Sequence, residues 1–423
     1  MPRAVEVFTP NDVPTFTYVE RRTRKFEDRL REALEIPKMI VSLSGPSKSG
    51  KTVLVNKVIE SDNIIAVSGA SIRSAGQLWD KVLDWMEVPT QVSETTGSKL
   101  GANVGGSAGG KAGIPFVLEG SGQVTAGIGG ETSTQRLEVH KQSGLGRVIK
   151  EIGGSTFVVF IDDFHYISKD AQVEIGKQIK EATEAGVRIC TASVPHRADD
   201  VVRSNPELRG RVTAVDTDYW TDDELAEIAN RGFRELNADL PPRAITKVTG
   251  EAFGSPQLMQ AICLNMCFEI GLRESLPEQK RVDLDFVAIQ NAMERTSTMT
   301  DFSSMLSVLH SGPRQRGVER KEFAFIDGSK GDVYRCVLLA MKADPPRLAF
   351  KYEDMIKRTR SVCDGECPVG SSVNQALSQM DRLASTVQEA PVIEWDEDVL
   401  DIVEPYFLFF LRSSPYMQKL SVG

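Results

Sequence analysis

The chain has 423 residues, 41% of them apolar and 26% charged, with a formal charge of −9. That length allows two or three domains with large cores, and the acidic balance argues against a surface built for extensive non-specific binding to nucleic acid. No apolar run approaches the ~20 residues of a membrane span, and residues 1–6 lack the apolar core of a secretory signal, so a cytoplasmic protein with no membrane partner is expected.

In chain order, Lys38 to Ser44 reads as a buried strand. It runs into Gly45-Pro46-Ser47-Lys48-Ser49-Gly50-Lys51-Thr52, a full G-x-x-x-x-G-K-[ST] phosphate-binding loop, and helical spacing follows from Thr52 and Val53 to Ile59. Glycines let backbone N–H groups wrap a phosphate, and the helix N-terminus adds positive dipole there. Lys51 is placed to neutralise β- and γ-phosphate oxygens, and the Thr52 hydroxyl to ligate Mg²⁺. Residues 45–53 are therefore the expected nucleotide-binding set.

A helical stretch from Leu78 to Trp85 precedes Gly97–Thr134, which holds twelve glycines. Residues 114–128 alternate in polarity around Gly120-Ser121-Gly122, the pattern of a hairpin. Thr156 to Ile161 then reads as a second buried strand, ending in Asp162 and Asp163. Ligands of open α/β sheets gather at the carboxyl ends of strands. Asp162 fits the metal side of a nucleotide site, and Asp163 fits a catalytic base or water-orienting group. A helix over 170–185 leads to another strand, Gly186 to Ser193, and this order implies a right-handed parallel crossover. Ser193, with Thr191 as second choice, is positioned to reach a γ-phosphate or its attacking water.

After the arginine-rich stretch 201–212, Thr221-Asp222-Asp223-Glu224 is a helix N-cap with first-turn acids. Further helices are expected over 244–248 and from Pro256 at N1. Cys263 and Cys267, four apart on that apolar helix, read as core; Cys363 and Cys367 form a tight pair in a loop with no histidine beside them. Residues 297–330 read as a linker with a basic stretch, Arg314 to Lys321. Helical patterns follow at 331–343, 352–362 and 371–385, then a β-turn-β segment and an apolar helix ending near Leu411.

From residue 38 to about 270 the sequence resembles the AAA+ superfamily of ATPases. The resemblance rests on the P-loop, the acidic strand end and the Pro206-Glu207-Leu208-x-x-Arg211 segment after a strand. It implies ATP with Mg²⁺, homo-oligomers, and an arginine finger, for which Arg211 matches best and Arg209 next. A guanidinium suits the dispersed charge of a transferring phosphoryl group. The lid departs from the usual pattern: Gly254 to Met266 contains no arginine but carries Gly254-Ser255-Pro256. That motif and the Asp162-Asp163 pair resemble the STAND branch of signalling ATPases, and the resemblance puts Pro256 against the nucleotide. The region from Tyr18 to Arg22 and the helix after it stands where these families hold adenine. The C-terminal third resembles a winged-helix domain.

These features together imply an α/β P-loop core at 38–222 with the glycine-rich insertion at 97–134. Residues 1–37 precede it, a helical lid spans 223–296, the linker 297–330, and a winged-helix-like domain 331–423. The implied activity is slow ATP hydrolysis in an oligomerising switch that controls a separate protein effector, by fold-level analogy in a prokaryotic defence or stress system. The alternative is a DNA-associated AAA+ ATPase, an initiator, loader or transposition regulator. Residues 369–412 carry eight acids against Arg382 and Arg412, which favours a protein-binding wing over a DNA-reading one. A small-molecule kinase would leave the lid and wing without a role.

Overall fold

The computed structural model describes residues 1–87, 144–194, 206–314, 320–388, 392–396 and 398–420. The glycine-rich segment with its expected hairpin lies outside these residues, as does the start of the arginine-rich stretch, residues 201–205.

Five parallel strands form the central sheet: β1 (Ile40–Ser44), β2 (Ile64–Ser68), β3 (Val158–Asp162), β4 (Arg188–Ser193) and β5 (Val212–Asp216). Their spatial order is β2-β3-β4-β1-β5. A parallel sheet needs cover on both faces, and the strands supply it by alternation. Ile40, Ile65, Val67, Val159, Ile161 and Ile189 turn to one face, against Trp79, Leu83, Val148, Ile175 and Ile179. Val41, Leu43, Ile64, Phe160, Cys190 and Val215 turn to the other, against Phe26, Leu30, Leu54 and Val55. Side chains that need water or a ligand collect where the strands end. The register places Ser44 beside both Ser193 and Asp216, and Ser68 beside Asp162. The α/β fold expected from the sequence is present, including the parallel crossover from β3 through helix Lys169–Glu184 to β4.

The rest of the described chain shares a separate core, which runs from Ala4 to Met417. Helices Asp222–Glu235, Pro242–Glu251 and Pro256–Glu269 follow the sheet. The first has a reciprocal capping box: the Thr221 hydroxyl accepts from the Glu224 N–H, and the Glu224 carboxylate accepts from the Thr221 N–H. Helix Phe286–Ser297 comes next. The segment expected to be a linker instead holds a helix, Ser303–Ser311, because Met305, Leu306 and Leu309 are buried in this core.

The C-terminal part runs helix Val333–Lys342, strand Ala349–Lys351, helices Tyr352–Val362 and Gly370–Val387, then strands Ile393–Asp396 and Val399–Ile402. Its three strands pair antiparallel with Val399–Ile402 in the middle. Helix Pro405–Ser413 is buried from Pro405 to Leu411, with Phe407 and Phe410 against Phe302. A buried ion pair ties this helix to the lid: Arg412 donates to both carboxylate oxygens of Glu251, at 2.8 and 2.7 Å. Among the described residues, no helix is long and apolar enough to cross a membrane.

Candidate functional site

The P-loop follows β1 without a break. Gly50 has φ +92°, a backbone conformation that an L side chain resists, and it opens helix Lys51–Val58. Gly45 is required for a different reason. A Cβ there would stand 1.8 Å from the Thr217 hydroxyl oxygen, which bonds the Ser44 carbonyl beneath the loop.

Lys51 lies deep under the loop it belongs to. Its Nζ donates to the carbonyl oxygens of Gly45 and Pro46, each at 2.8 Å. Burial lowers its pKa to about 8, against the pull of Asp162 and Asp163. The Thr52 hydroxyl donates to Asp162 Oδ2 at 2.6 Å, so the end of β3 meets the start of the P-loop helix. Asp162 Oδ1 accepts from the Asp163 N–H at 2.9 Å. Burial raises the Asp162 carboxyl, and the Thr52 hydrogen bond works against that rise.

Asp163 takes a left-handed backbone conformation, φ 54°, which turns the chain out of β3. Its carbonyl is packed so closely on the end of β2 that a Cβ at Gly69 would stand 2.3 Å from it. Ser193 ends β4 directly behind the loop, where its carbonyl accepts from the Gly45 N–H at 3.2 Å. Its hydroxyl is buried and has no hydrogen-bond partner among the described residues. A polar atom in that state is poised to take a ligand or a water. Thr191, the second choice, lies deeper in β4, with its hydroxyl on the Val41 carbonyl.

The lid closes on the same loop. A Cβ at Gly50 would lie 3.8 Å from Pro256 Cγ, so Pro256 stands over the loop glycine. Ser255 donates to the Lys48 carbonyl at 3.3 Å, and Trp220 Nε1 donates to the Ser49 carbonyl at 2.9 Å. Arg21 lies between Phe26 and Trp220 and bonds Asp218 and Glu224. The N-terminal segment, the lid and the P-loop are thereby joined. A cavity of about 570 Å³ opens between them, with Val13, Tyr18, Lys51, Asp163, Gln257 and Gln260 on its walls. That volume and lining suit a small ligand with a polar end.

Arg211 is not brought to this cavity. It precedes β5, where its carbonyl accepts from the Ile40 N–H at the start of β1, the sheet edge opposite the P-loop. Its guanidinium pairs with Glu184 at the end of the helix between β3 and β4. Sequence reading had missed Thr217, Trp220 and Glu404 as neighbours of the loop. Trp220 lay within reach, since a lone tryptophan ahead of a helix cap is an uncommon exposed choice. Glu404 carries no such signal. The Ser47 hydroxyl donates to it at 3.1 Å across 357 positions of sequence.

The chain thus has a P-loop on a five-stranded parallel sheet, with an acidic strand end under the loop. No family model matches the chain, and no curated protein matches it. Among solved structures it is similar to Cdc6p from Pyrobaculum aerophilum, at 12% identity over 99% of this chain and 98% of that one, TM-score 0.42. It is also similar to a Walker-type ATPase of Pyrococcus abyssi, at 14% identity over 94% and 99%, TM-score 0.47. A third is the ORC2 protein of Aeropyrum pernix, at 11% identity over 99% and 98%, TM-score 0.48.

The residues present fit a magnesium nucleotide. Gly50 opens the helix at the loop's end, Lys51 is a half-buried cation beneath the loop, and the Thr52 hydroxyl and Asp162 carboxylate are hard oxygen donors held side by side.

Proposed function

We propose that the chain is an Mg²⁺-dependent ATPase of the AAA+/STAND type, an oligomerising switch that acts on a separate protein partner in the cytoplasm. The observation that carries the reading is the Thr52–Asp162 contact beneath a P-loop whose lysine is already folded under it, on the Gly45 and Pro46 carbonyls. Bound magnesium ATP supplies an electrophilic phosphorus and a divalent charge that stabilises the leaving phosphate. The chain's residues do the rest. Backbone N–H groups of residues 48–53 hold phosphate oxygens, and Lys51 exchanges the Gly45 and Pro46 carbonyls for them. Thr52 and Asp162 hold the metal. Asp163 orients the attacking water and accepts its proton at the carboxylate, and the Ser193 hydroxyl is assigned to the same water. Pro256 and Trp220 keep the lid on the loop, and the N-terminal segment from Thr9 to Phe26 walls the base end of the cavity.

Arg211 points away from its own loop, so its role in hydrolysis requires a neighbouring subunit. It would leave Glu184 and reach that neighbour's γ-phosphate. The domain division read from the sequence is kept with one change, the helix Ser303–Ser311 joining the lid core. The test is mass in solution with ADP and with a non-hydrolysable ATP analogue. A heavier particle with the analogue is expected, with turnover per chain rising with protein concentration. Arg211→Ala should lower both, and mixing it with Lys51→Ala should restore part of the turnover. Equal masses and concentration-independent turnover would overturn the oligomeric switch.

A second reading, a DNA-associated ATPase, draws on the helix-strand-helix-helix-hairpin order of residues 333–402, which resembles a winged helix. The helix that would enter the major groove, Gly370–Val387, carries Asp381 and Arg382 as its charges and so offers no net positive face. Tight, steeply salt-dependent binding of duplex DNA by the full chain would favour this second reading.

A further inference from the structure

Glu404 is the N-cap of the buried helix Pro405–Ser413, yet it also reaches the P-loop. One carboxylate oxygen accepts from the Tyr406 N–H at 3.2 Å, and the other from the Ser47 hydroxyl at 3.1 Å. The backbone that delivers it is fixed, because the N–H groups of Val403 and Glu404 both bond the Val392 carbonyl. Behind it, Arg412 locks the same helix to Glu251 of the lid. Burial raises the Glu404 carboxyl, and the charge of Lys48 partly offsets this.

We propose that Glu404 is a specificity-determining residue of the nucleotide site, whose carboxylate, seated on Ser47, disfavours a nucleoside triphosphate relative to a diphosphate. This inference rests on the nucleotide reading of the P-loop. Lys51 Nζ sits on the carbonyls of Gly45 and Pro46, the two residues before Ser47. A terminal phosphate drawn to Lys51 therefore arrives beside Ser47, where the hydroxyl is already donated to a carboxylate. Two like charges this close together repel, and each added phosphate charge increases that repulsion. The diphosphate, cradled by backbone N–H groups at the helix start, meets less of it. The coupling is reciprocal. If Glu404 weakens the triphosphate, the triphosphate weakens the seat of Glu404 and loosens the C-terminal domain from the loop.

The experiment is calorimetric titration of the full chain, with magnesium, by ADP and by a non-hydrolysable ATP analogue. Three proteins are compared: wild type, Glu404→Gln and Glu404→Asp. Glutamine keeps an oxygen for Tyr406 and a partner for Ser47 and loses the charge alone. Glu404→Gln should bind the analogue tenfold or more tightly than wild type while ADP changes by threefold or less, and Glu404→Asp should keep the wild-type preference. Equal changes for the two nucleotides, or none, would overturn the inference and leave the nucleotide site standing. If no protein binds either nucleotide, the nucleotide reading falls and the inference with it. Amide exchange of wild type gives a second readout that needs no variant. Residues 399–413 should exchange faster with the analogue than with ADP, and identical exchange would contradict the proposal.

Discussion

In the sheet, alternate residues of every strand part to two faces, and each face has its own helices, so the P-loop stands on a platform covered from both sides. The other half is built differently. The N-terminal helix, the lid and the C-terminal domain share one core, and Phe8, Met259, Leu338 and Phe409 all belong to it. The contrast teaches where motion can occur. A lid fused to the C-terminal domain cannot open alone; it moves with that domain, and the seam to the sheet is polar. Trp220 on Ser49, Ser255 on Lys48 and Glu404 on Ser47 all cross the seam at the P-loop itself. A ligand in the loop therefore acts on the whole second half.

The largest effect should come from breaking the second half's internal tie. Glu251 and Arg412 are 6% and 10% exposed, and removing one partner of such a pair costs about 3–5 kcal/mol. Arg412→Ala should lose that much stability in urea unfolding at neutral pH. Burial works against the Glu251 charge, yet Arg412 and then Lys247 hold its carboxyl below the ordinary value of 4.5. A depressed carboxyl contributes stability above the unfolded-state pKa and loses it as pH falls through the folded one. The gap between variant and wild type should therefore narrow below about pH 4, the acid end of the carboxylate range. A gap that stays constant down to pH 3 would show that the pair's charge is not what joins lid and domain.

Next is the sheet edge that carries Asp162 and Asp163. Asp163→Asn should lower turnover about 100-fold, the usual scale of general-base loss, and leave ATP affinity within about twofold. Asp162→Asn should instead weaken binding that depends on Mg²⁺. Identical behaviour of the two variants in both assays would erase the division of roles.

A smaller effect probes the seam. Trp220→Phe keeps a ring over Arg21 and deletes the donor to the Ser49 carbonyl, a hydrogen bond of about 1 kcal/mol. Nucleotide affinity should fall about fivefold; unchanged affinity would uncouple the lid from the loop. The smallest is Glu184→Ala, which frees Arg211 from an ion pair exposed on both sides. Stability should change by less than about 0.5 kcal/mol, while turnover at high protein concentration holds or rises. A drop in turnover would assign Glu184 a part in assembly.

What could be read from the sequence was local. The P-loop, the strand ending in Asp162 and Asp163, the Thr221–Glu224 cap and Pro256 at N1 each declare themselves within a dozen residues. The sheet's two edges did not. β2 and β5 are five residues each, and Ala66, Ser68, Ala214 and Asp216 lie exposed, which dilutes the apolar run that marks a buried strand. Helix Ser303–Ser311 reads as linker in the sequence because its serines hide a buried Met305, Leu306 and Leu309. The contact of Glu404 with Ser47 was beyond local reading altogether. It exists because two parts with separate cores meet at the loop, and no pattern within either part encodes it.

The central claim is that Lys51, folded under the P-loop, serves a magnesium nucleotide. Calorimetric titration of the full chain with magnesium ATP tests it most directly, wild type against Lys51→Ala. One nucleotide per wild-type chain is expected, with affinity lost by 100-fold or more in the variant while its unfolding midpoint stays close to wild type. Equal affinity in the two proteins, or no binding by the wild type, would contradict the account.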